Sequence, residues 1–449
     1  MTGSMMMMSS HRRVVTATGP TLTYYLDASA QGAFPGASIT TSASFNGTSQ
    51  YLTLPASANW ALGTGDFTIE WWQYMSATQN SFPRVFSVGS SGSGGASIAV
   101  SIEGGTFYFW ENGNFTFSSV LSSYSTTWVH FAISRVSGQT SVYQNGTKLG
   151  STFSDTNNIT DSSSTLAIGT ESTPTADTYY TGYISNFRII KGTGLYTANF
   201  TTPTATLRAV TGTVALLPLT AEPFMDISTN LATVTNTGTV TTTASAPSLT
   251  AATTDVTGNY ALSYSNASAR ITWSTDQGGV FRNTFSGDGI NAYITGGPDW
   301  STQRSYTVFM GYKLTGTSNY GRLLNSNTGS PDWLMGGYSS KSKTYYANGV
   351  TINLSGPIDV TWHLDWARFN ISSGVGDLFS VTTSQPTSTP AYTTTNSGIG
   401  AFNQLKLFSK SDGNECAAGD IAFVRVWNGV MTTAQMQAEW TAFHARVGF

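Results

Sequence analysis

Six short segments occur twice along this chain of 449 residues, in the same order. Phe45-Asn46-Gly47-Thr48-Ser49-Gln50-Tyr51-Leu52 is echoed by Phe285-Ser286-Gly287-Asp288-Gly289-Ile290-Asn291-Ala292-Tyr293-Ile294. Phe67-Thr68-Ile69-Glu70-Trp71-Trp72 returns as Tyr306-Thr307-Val308-Phe309-Met310-Gly311, and Arg84-Val85-Phe86-Ser87 as Arg322-Leu323-Leu324-Asn325. Phe107-Tyr108-Phe109-Trp110-Glu111-Asn112-Gly113 corresponds to Thr344-Tyr345-Tyr346-Ala347-Asn348-Gly349. Trp128, His130 and Arg135 match Trp362, His363 and Arg368 with a one-residue slip, and Gly182 to Ile189 matches Gly419 to Trp427. The partners lie about 240 positions apart, far beyond the period of a solenoid repeat, so the pattern is a domain duplication. Whatever the first half folds into, the second half repeats.

The repeated segments read as strands. Phe67, Ile69 and Trp71 share one face of a period-two run, and Glu70, Trp72 and Tyr74 share the other. Glu111-Asn112-Gly113 and Asn145-Gly146 are turn signals between such runs. Helical periodicity is confined to the end. There Thr432 and Gln435 fit a capping box, and Met436, Trp440, Phe443 and Val447 form an apolar stripe suited to packing on a sheet. The expected architecture is all-β: two tandem β-sandwiches with a short C-terminal helix. Residues 1–19 form an N-terminal arm, 20–247 the first module and 248–449 the second. The Thr-, Ala- and Ser-rich stretch from Thr235 to Ser268 reads either as a flexible linker or, from Tyr260 to Tyr264 and Arg270 to Trp273, as strands opening the second module.

Charged residues make up 10% of the chain against aromatics at 13%, with a net charge of −3. An ordinary soluble protein carries about 25% charged residues, whereas a disordered one lacks aromatics. No basic block beyond Arg12-Arg13 offers the electrostatic footprint of a nucleic-acid binder. No run reaches the ~18 apolar residues of a membrane span, and Met1 to Val15 lacks the apolar core of a signal peptide. The lone Cys416 rules out an internal disulfide framework and reads as a small buried residue.

The ordered set Phe45-Asn46-Gly47-Thr48, Phe67 to Trp72, Trp128-Val129-His130, Tyr143 to Gly146 and Gly182 to Ile189 resembles the concanavalin A-like lectin/glucanase superfamily, in its laminin-G-like branch. Tyr24 to Ser29 with Phe34-Pro35-Gly36 resembles the opening strand of such modules in phage and algal-virus proteins, and Leu195 to Pro203 their closing segment. The resemblance implies concanavalin A-like jelly rolls that bind glycans or proteins. It also implies a place on a virion, on the capsid surface, tail or fibre, packed among other virion proteins and meeting host-surface glycans. Such a protein is made in the host cytoplasm, which fits a hydroxyl-rich surface without export signal or disulfides. A free carbohydrate-binding adhesin of a cell surface is the alternative.

Superfamily glucanases carry acidic residues at alternate strand positions, because retaining hydrolysis needs two carboxyl groups about 5–5.5 Å apart. Here Glu70 is followed by Trp71, Trp72, Gln73 and Tyr74, and the second module has Phe309-Met310-Gly311-Tyr312, so hydrolysis is not expected. Asp359 and Asp365 have no such neighbour, and His130 and His363, in matching places, read as structural rather than metal-binding. No cofactor is expected. The resemblance leaves a rim Ca²⁺ open, with Asp155, Asn157 and Asn158, or Glu171 and Asp177, or Asp412, Asn414 and Glu415 as ligands, although solvated turn acids are the better explanation of each. For sugar binding the candidates are Glu70, Trp72 and Tyr74 on one strand and Tyr108 and Trp110 on another, lining a concave sheet. The same rings also suit a core or a subunit contact.

Overall fold

A computed structural model of the chain describes residues 20–27, 38–89, 97–222, 224–228, 230 and 232–252. Further on it describes 262–264, 272–275, 283–288, 293–300, 305–315, 322–326, 333–338, 341–347, 350–353, 361–381, 385–395, 402–408 and 417–447. The fold is all-β, with antiparallel sheets in two pairs and one C-terminal helix.

Sheet I has eight strands, in the order Thr147–Ser154, Gln139–Gln144, Trp128–Val136, Phe67–Met75, Thr181–Lys191, Ser42–Asn46, Thr241–Thr243, with Thr213–Leu217 also paired to Thr181–Lys191. Sheet II runs Thr235–Thr237, Tyr51–Leu54, Leu166–Ile168, Arg84–Val88, Ile98–Glu103, Thr106–Glu111, Asn114–Val120. Sheets III and IV repeat these orders from the second half of the chain. In sheet III the strands His363–Asn370, Tyr306–Leu314, Ala418–Asn428 and Asn283–Asp288 stand side by side, as their echoes do in sheet I. In sheet IV Ile294–Trp300, Phe402–Leu407, Arg322–Ser326, Trp333–Tyr338, Lys341–Ala347 and Val350–Asn353 keep the order of sheet II. The duplication read from the sequence is therefore a duplication of topology.

Period-two alternation sends one face of each strand between the paired sheets. Trp71, wholly buried, is the hub of the first core: Phe86 meets it edge-on at 5.5 Å, while Phe107 and Phe131 stack on it. Val308, Met310, Tyr306 and Tyr312 do the same work in the second. Asn112 (φ 47°) and Gly113 (φ 80°) make the hairpin turn whose two positive φ angles suit the right-handed strand twist.

Two departures from the sequence reading concern the module ends. Thr235–Thr237 and Thr241–Thr243 are not linker: the first pairs with Tyr51–Leu54 in sheet II, the second with Ser42–Asn46 in sheet I. The strand Thr21–Asp27, expected to open the first module, instead pairs with Ala418–Asn428 of sheet III, Thr21 opposite Asn428 and Asp27 opposite Phe423. Local residue pattern specifies a strand but not the sheet that receives it, and the receiving edge lies 400 residues away.

A further apolar cluster joins the halves. Leu207, Leu216, Met225 and Ile227 of the first module are buried with Trp362, Trp366, Phe379, Phe423 and Trp427 of the second, and with Met436, Trp440 and Phe443 of the helix Thr433–Val447. The capping box is present: Gln435 N–H donates to Thr432 Oγ1 at 3.2 Å and Thr432 N–H to Gln435 Oε1 at 2.8 Å. None of the described helices is long and apolar enough to cross a membrane. Cys416, Asp359 and the loop holding Asp412, Asn414 and Glu415 lie outside the described residues.

Candidate functional site

The five residues proposed for sugar binding do not form one surface. Glu70, Trp72 and Tyr74 lie on sheet I and Tyr108 and Trp110 on sheet II. Each set alternates with core residues, Ile69 and Trp71 in one case, Phe107 and Phe109 in the other. They therefore face away from the core on opposite sides of the sandwich.

Glu70 is not available to a ligand. The segment after Thr181–Lys191 folds back over the outer face of sheet I, and Glu70 is 0% exposed. Gly146 permits this approach: it has φ +74°, and a Cβ there would lie 1.9 Å from the Phe200 carbonyl oxygen. Tyr196 stacks on Phe200 and donates its hydroxyl to Glu70 Oε2 at 2.9 Å. Arg188 donates from Nε (2.9 Å) and from Nη2 to Glu70 Oε1, and its Nη1 reaches the Arg208 carbonyl at 2.6 Å. His130 Nε2 stands 3.3 Å from Glu70 Oε2. Burial alone would raise the Glu70 pKa, but the charge of Arg188 together with His130 holds it down at about 2. A carboxylate held ionised and sealed from solvent is neither a general acid nor a sugar ligand.

Trp72 is half-buried against Ile39, Ala246, Leu249 and Ala251, chain that crosses over the sheet between the modules. Tyr74 keeps partial exposure in a row that the sequence reading missed. Trp128 is its cross-strand partner on one side and Tyr183 on the other, the latter stacked at 5.2 Å.

Tyr108 and Trp110 occupy the open outer face of sheet II. Phe115, 57% exposed, comes opposite Trp110 across the hairpin and meets both rings edge-on, at 5.8 Å and 5.7 Å. Trp110 Nε1 donates to Ser101 Oγ at 3.2 Å, and Ser101 donates to Glu103 Oε1 at 2.6 Å. Arg84 Nη1 also bonds Glu103 Oε1, at 3.0 Å, and its guanidinium lies 5.2 Å from the Trp110 ring centre. The result is three half-open rings bordered by an ion pair. Register explains why sequence reading found two of its members and missed Phe115, Arg84, Ser101 and Glu103. The Asn112-Gly113 turn sets Phe115 beside Trp110, and the pairing of Ile98–Glu103 with Arg84–Val88 brings Arg84 opposite Ser101.

The loops proposed for calcium differ from expectation. Asp177 is exposed whereas Glu171 is buried. Asp155, 2% exposed, is no solvated turn acid: Thr140 Oγ1 donates to its Oδ2 at 2.7 Å, and Arg135 Nη1 lies 3.4 Å away. The same guanidinium donates to the carbonyls of Gly63, Gly65 and Asn157 and stands 3.9 Å from Glu111 Oε1. No group of three or more His, Cys, Asp or Glu among the described residues is placed to hold a metal.

Glu111, 1% exposed, has its pKa raised to about 7 by burial and then by the charge of Asp155. Its folded-state pKa lies above the unfolded value, so its stability contribution is full below about pH 4.5 and is lost as pH rises through 7. Glu111→Gln, neutral at every pH, is expected to match the wild type in urea denaturation at pH 4. At pH 8 it should exceed the wild type by on the order of 1–3 kcal/mol. An equal midpoint at both pH values would contradict this.

Against this geometry, residues 46–193 match the family model of the concanavalin A-like lectin/glucanases superfamily. That segment is a concanavalin A-like module. A search of curated proteins gives no match. Among solved structures, the chain is similar to mouse laminin α1 domains LG4-5, at 11% identity and TM-score 0.27, over 89% of this chain and 92% of that one. It is also similar to a putative carbohydrate binding protein from Bacteroides ovatus, at 13% identity and TM-score 0.37, over 47% of this chain and 62% of that one. A SAP-like pentraxin from Limulus polyphemus matches at 15% identity and TM-score 0.33, over 46% of this chain and 96% of that one. The chain thus spans less than two thirds of the Bacteroides protein.

Proposed function

We propose that this protein is a non-catalytic, glycan-binding protein whose sugar site is the outer face of sheet II, and that it works as a virion surface component packed among other virion proteins. The observation that carries the glycan reading is the Tyr108, Trp110 and Phe115 platform with Arg84 and Glu103 at its edge. Aromatic faces accept the C–H faces of a pyranose, and Glu103, whose side chain keeps 20% exposure while Arg84 beneath it is buried, supplies an acceptor for a sugar hydroxyl. The lectin-like fold supports this reading.

A non-catalytic role is favoured by the carboxylates. Retaining hydrolysis needs an accessible pair, one protonated. Glu70 is ionised and enclosed, and Glu111 and Asp155 converge on Arg135 at 1% and 2% exposure, out of reach of a sugar. The virion setting rests on the uncharged, hydroxyl-rich composition and on the resemblance to phage and algal-virus modules. A free adhesin would use the same platform. Stoichiometric co-purification with particles through high salt supports the virion setting, and recovery as a free soluble protein overturns it.

Trp110→Ala is expected to abolish binding on a glycan array, a loss of about 1.5 kcal/mol or more, with little change in melting temperature because the ring is half-exposed. Tyr74→Ala, on the opposite face, should leave binding intact. Array binding that survives Trp110→Ala and Phe115→Ala would place the site elsewhere.

A further inference from the structure

The strand Thr181–Lys191 of sheet I has two short strands end to end along one edge: Ser42–Asn46 pairs with Thr181–Ile184, and Thr213–Leu217 with Phe187–Ile190. Its counterpart Ala418–Asn428 is flanked likewise. Asn283–Asp288 pairs with Ala418–Ile421, and Thr21–Asp27 with Phe423–Asn428. The first module fills the second half of this edge with the chain that follows its central strand. In the second module the chain takes another course: after Asn428 the backbone turns at Gly429 (φ +117°) and enters the helix at Thr433. The N-terminal strand takes the vacant position. Pro20 comes within 3.3 Å of where a Gly429 Cβ would sit, and Leu22 packs on the cluster that joins the modules.

We propose that the edge Phe423–Asn428 is a strand-accepting site, that its ligand is the chain's own segment Thr21–Asp27, and that the second module does not close its sheet without it. The acceptor strand carries Phe423, Val424, Val426 and Trp427, all buried, between the second core and the shared cluster. An unpaired edge there would expose backbone N–H and C=O groups beside apolar side chains, the arrangement that recruits strands from other molecules. The N-terminal strand is thus an intramolecular clamp. It ties the start of the chain to its final strand and encloses the first module in the loop so formed. The site uses backbone pairing and one face of residues remote from sheet II, so it stands or falls independently of the glycan platform.

Two experiments test it. Thr21→Cys with Asn428→Cys, opposed in register and with Asn428 exposed, is made in a Cys416→Ser background of the full chain. Oxidation is expected to give a disulfide within one chain, seen as a faster-running monomer on a non-reducing gel. Absence of the bond, or linked dimers alone, overturns the proposal. A chain beginning at residue 28 is then compared with the full chain by hydrogen exchange. Protection at 423–428 is expected to fall about tenfold or more, protection at 187–190 to stay unchanged, and a synthetic peptide of residues 18–30 to restore the lost protection. Wild-type protection at 423–428 in the shortened chain overturns the proposal.

Discussion

Glu70→Ala is expected to destabilise the first module by about 3–5 kcal/mol, because it leaves a buried guanidinium without its counter-charge. Arg188 keeps only 7% of its side chain exposed, and its Nε and Nη2 both donate to Glu70. The Tyr196 hydroxyl loses its acceptor in the same stroke. Glu70→Gln preserves shape but not charge, so it should recover only part of the loss. Replacing both partners with apolar residues, Glu70→Leu with Arg188→Met, should cost less than Glu70→Ala alone, since a missing ion pair is cheaper than half of one. Urea denaturation of the two single variants and the double variant measures this. Near-wild-type stability of Glu70→Ala would mean that Arg188 finds water, and hence that the return segment 193–209 does not seal the face.

The acid limb provides an independent check. The folded-state pKa of Glu70, about 2, lies below its ordinary value of 4.5. Its contribution is therefore present above pH 4.5 and lost as pH falls through 2, an amount on the order of 3 kcal/mol. Glu70→Gln should accordingly lose less stability than the wild type between pH 4.5 and 2.

Trp366→Ala is expected to cost about 3–5 kcal/mol and to weaken the coupling between the two halves. Trp366 is 0% exposed, stacked on Phe309 at 3.9 Å with planes 8° apart, and on Trp427 at 5.7 Å. Phe309 and Phe423 in turn meet Phe443 of the helix, and the cluster extends to Leu207, Leu216, Met225 and Ile227 of the first module. A cavity at its centre removes contacts from three elements at once. The wild type should melt in a single calorimetric transition, because a shared buried cluster makes unfolding of either half costly to the other. The variant should show two transitions, the lower from the second half. Trp366→Phe, which keeps a ring between Phe309 and Trp427, should cost much less. Two separate transitions in the wild type would show that the cluster does not couple the modules.

Much of this was legible in the residues. Period-two runs identified the strands around Phe67, Trp128, Gly182 and Tyr306, and the repeated order of markers placed corresponding strands at corresponding positions in sheets I and III. Thr432 and Gln435 announced the helix and its cap. The candidate site was half legible. Tyr108 and Trp110 were found from alternation, yet Phe115, Arg84 and Glu103 reach them through pairing across four strands, and register is not written in any one strand. Glu70 looked identical to an outward-facing site residue because alternation gives the face of a sheet and says nothing of what is laid over it. The return segment with Tyr196 and Phe200 changed its meaning from ligand to buried anchor.

By itself the sequence determined that this protein is β throughout, that one architecture is used twice, and that a helix closes the chain, because side-chain periodicity and turn chemistry act over a few residues. Only the tertiary structure decided which faces stay open, which carboxylates are sealed beside arginines, and which sheet receives the strand Thr21–Asp27. Those outcomes depend on pairing and burial between residues as far apart as Thr21 and Asn428, where burial changes a carboxylate's charge preference and one vacant edge selects the strand that fills it.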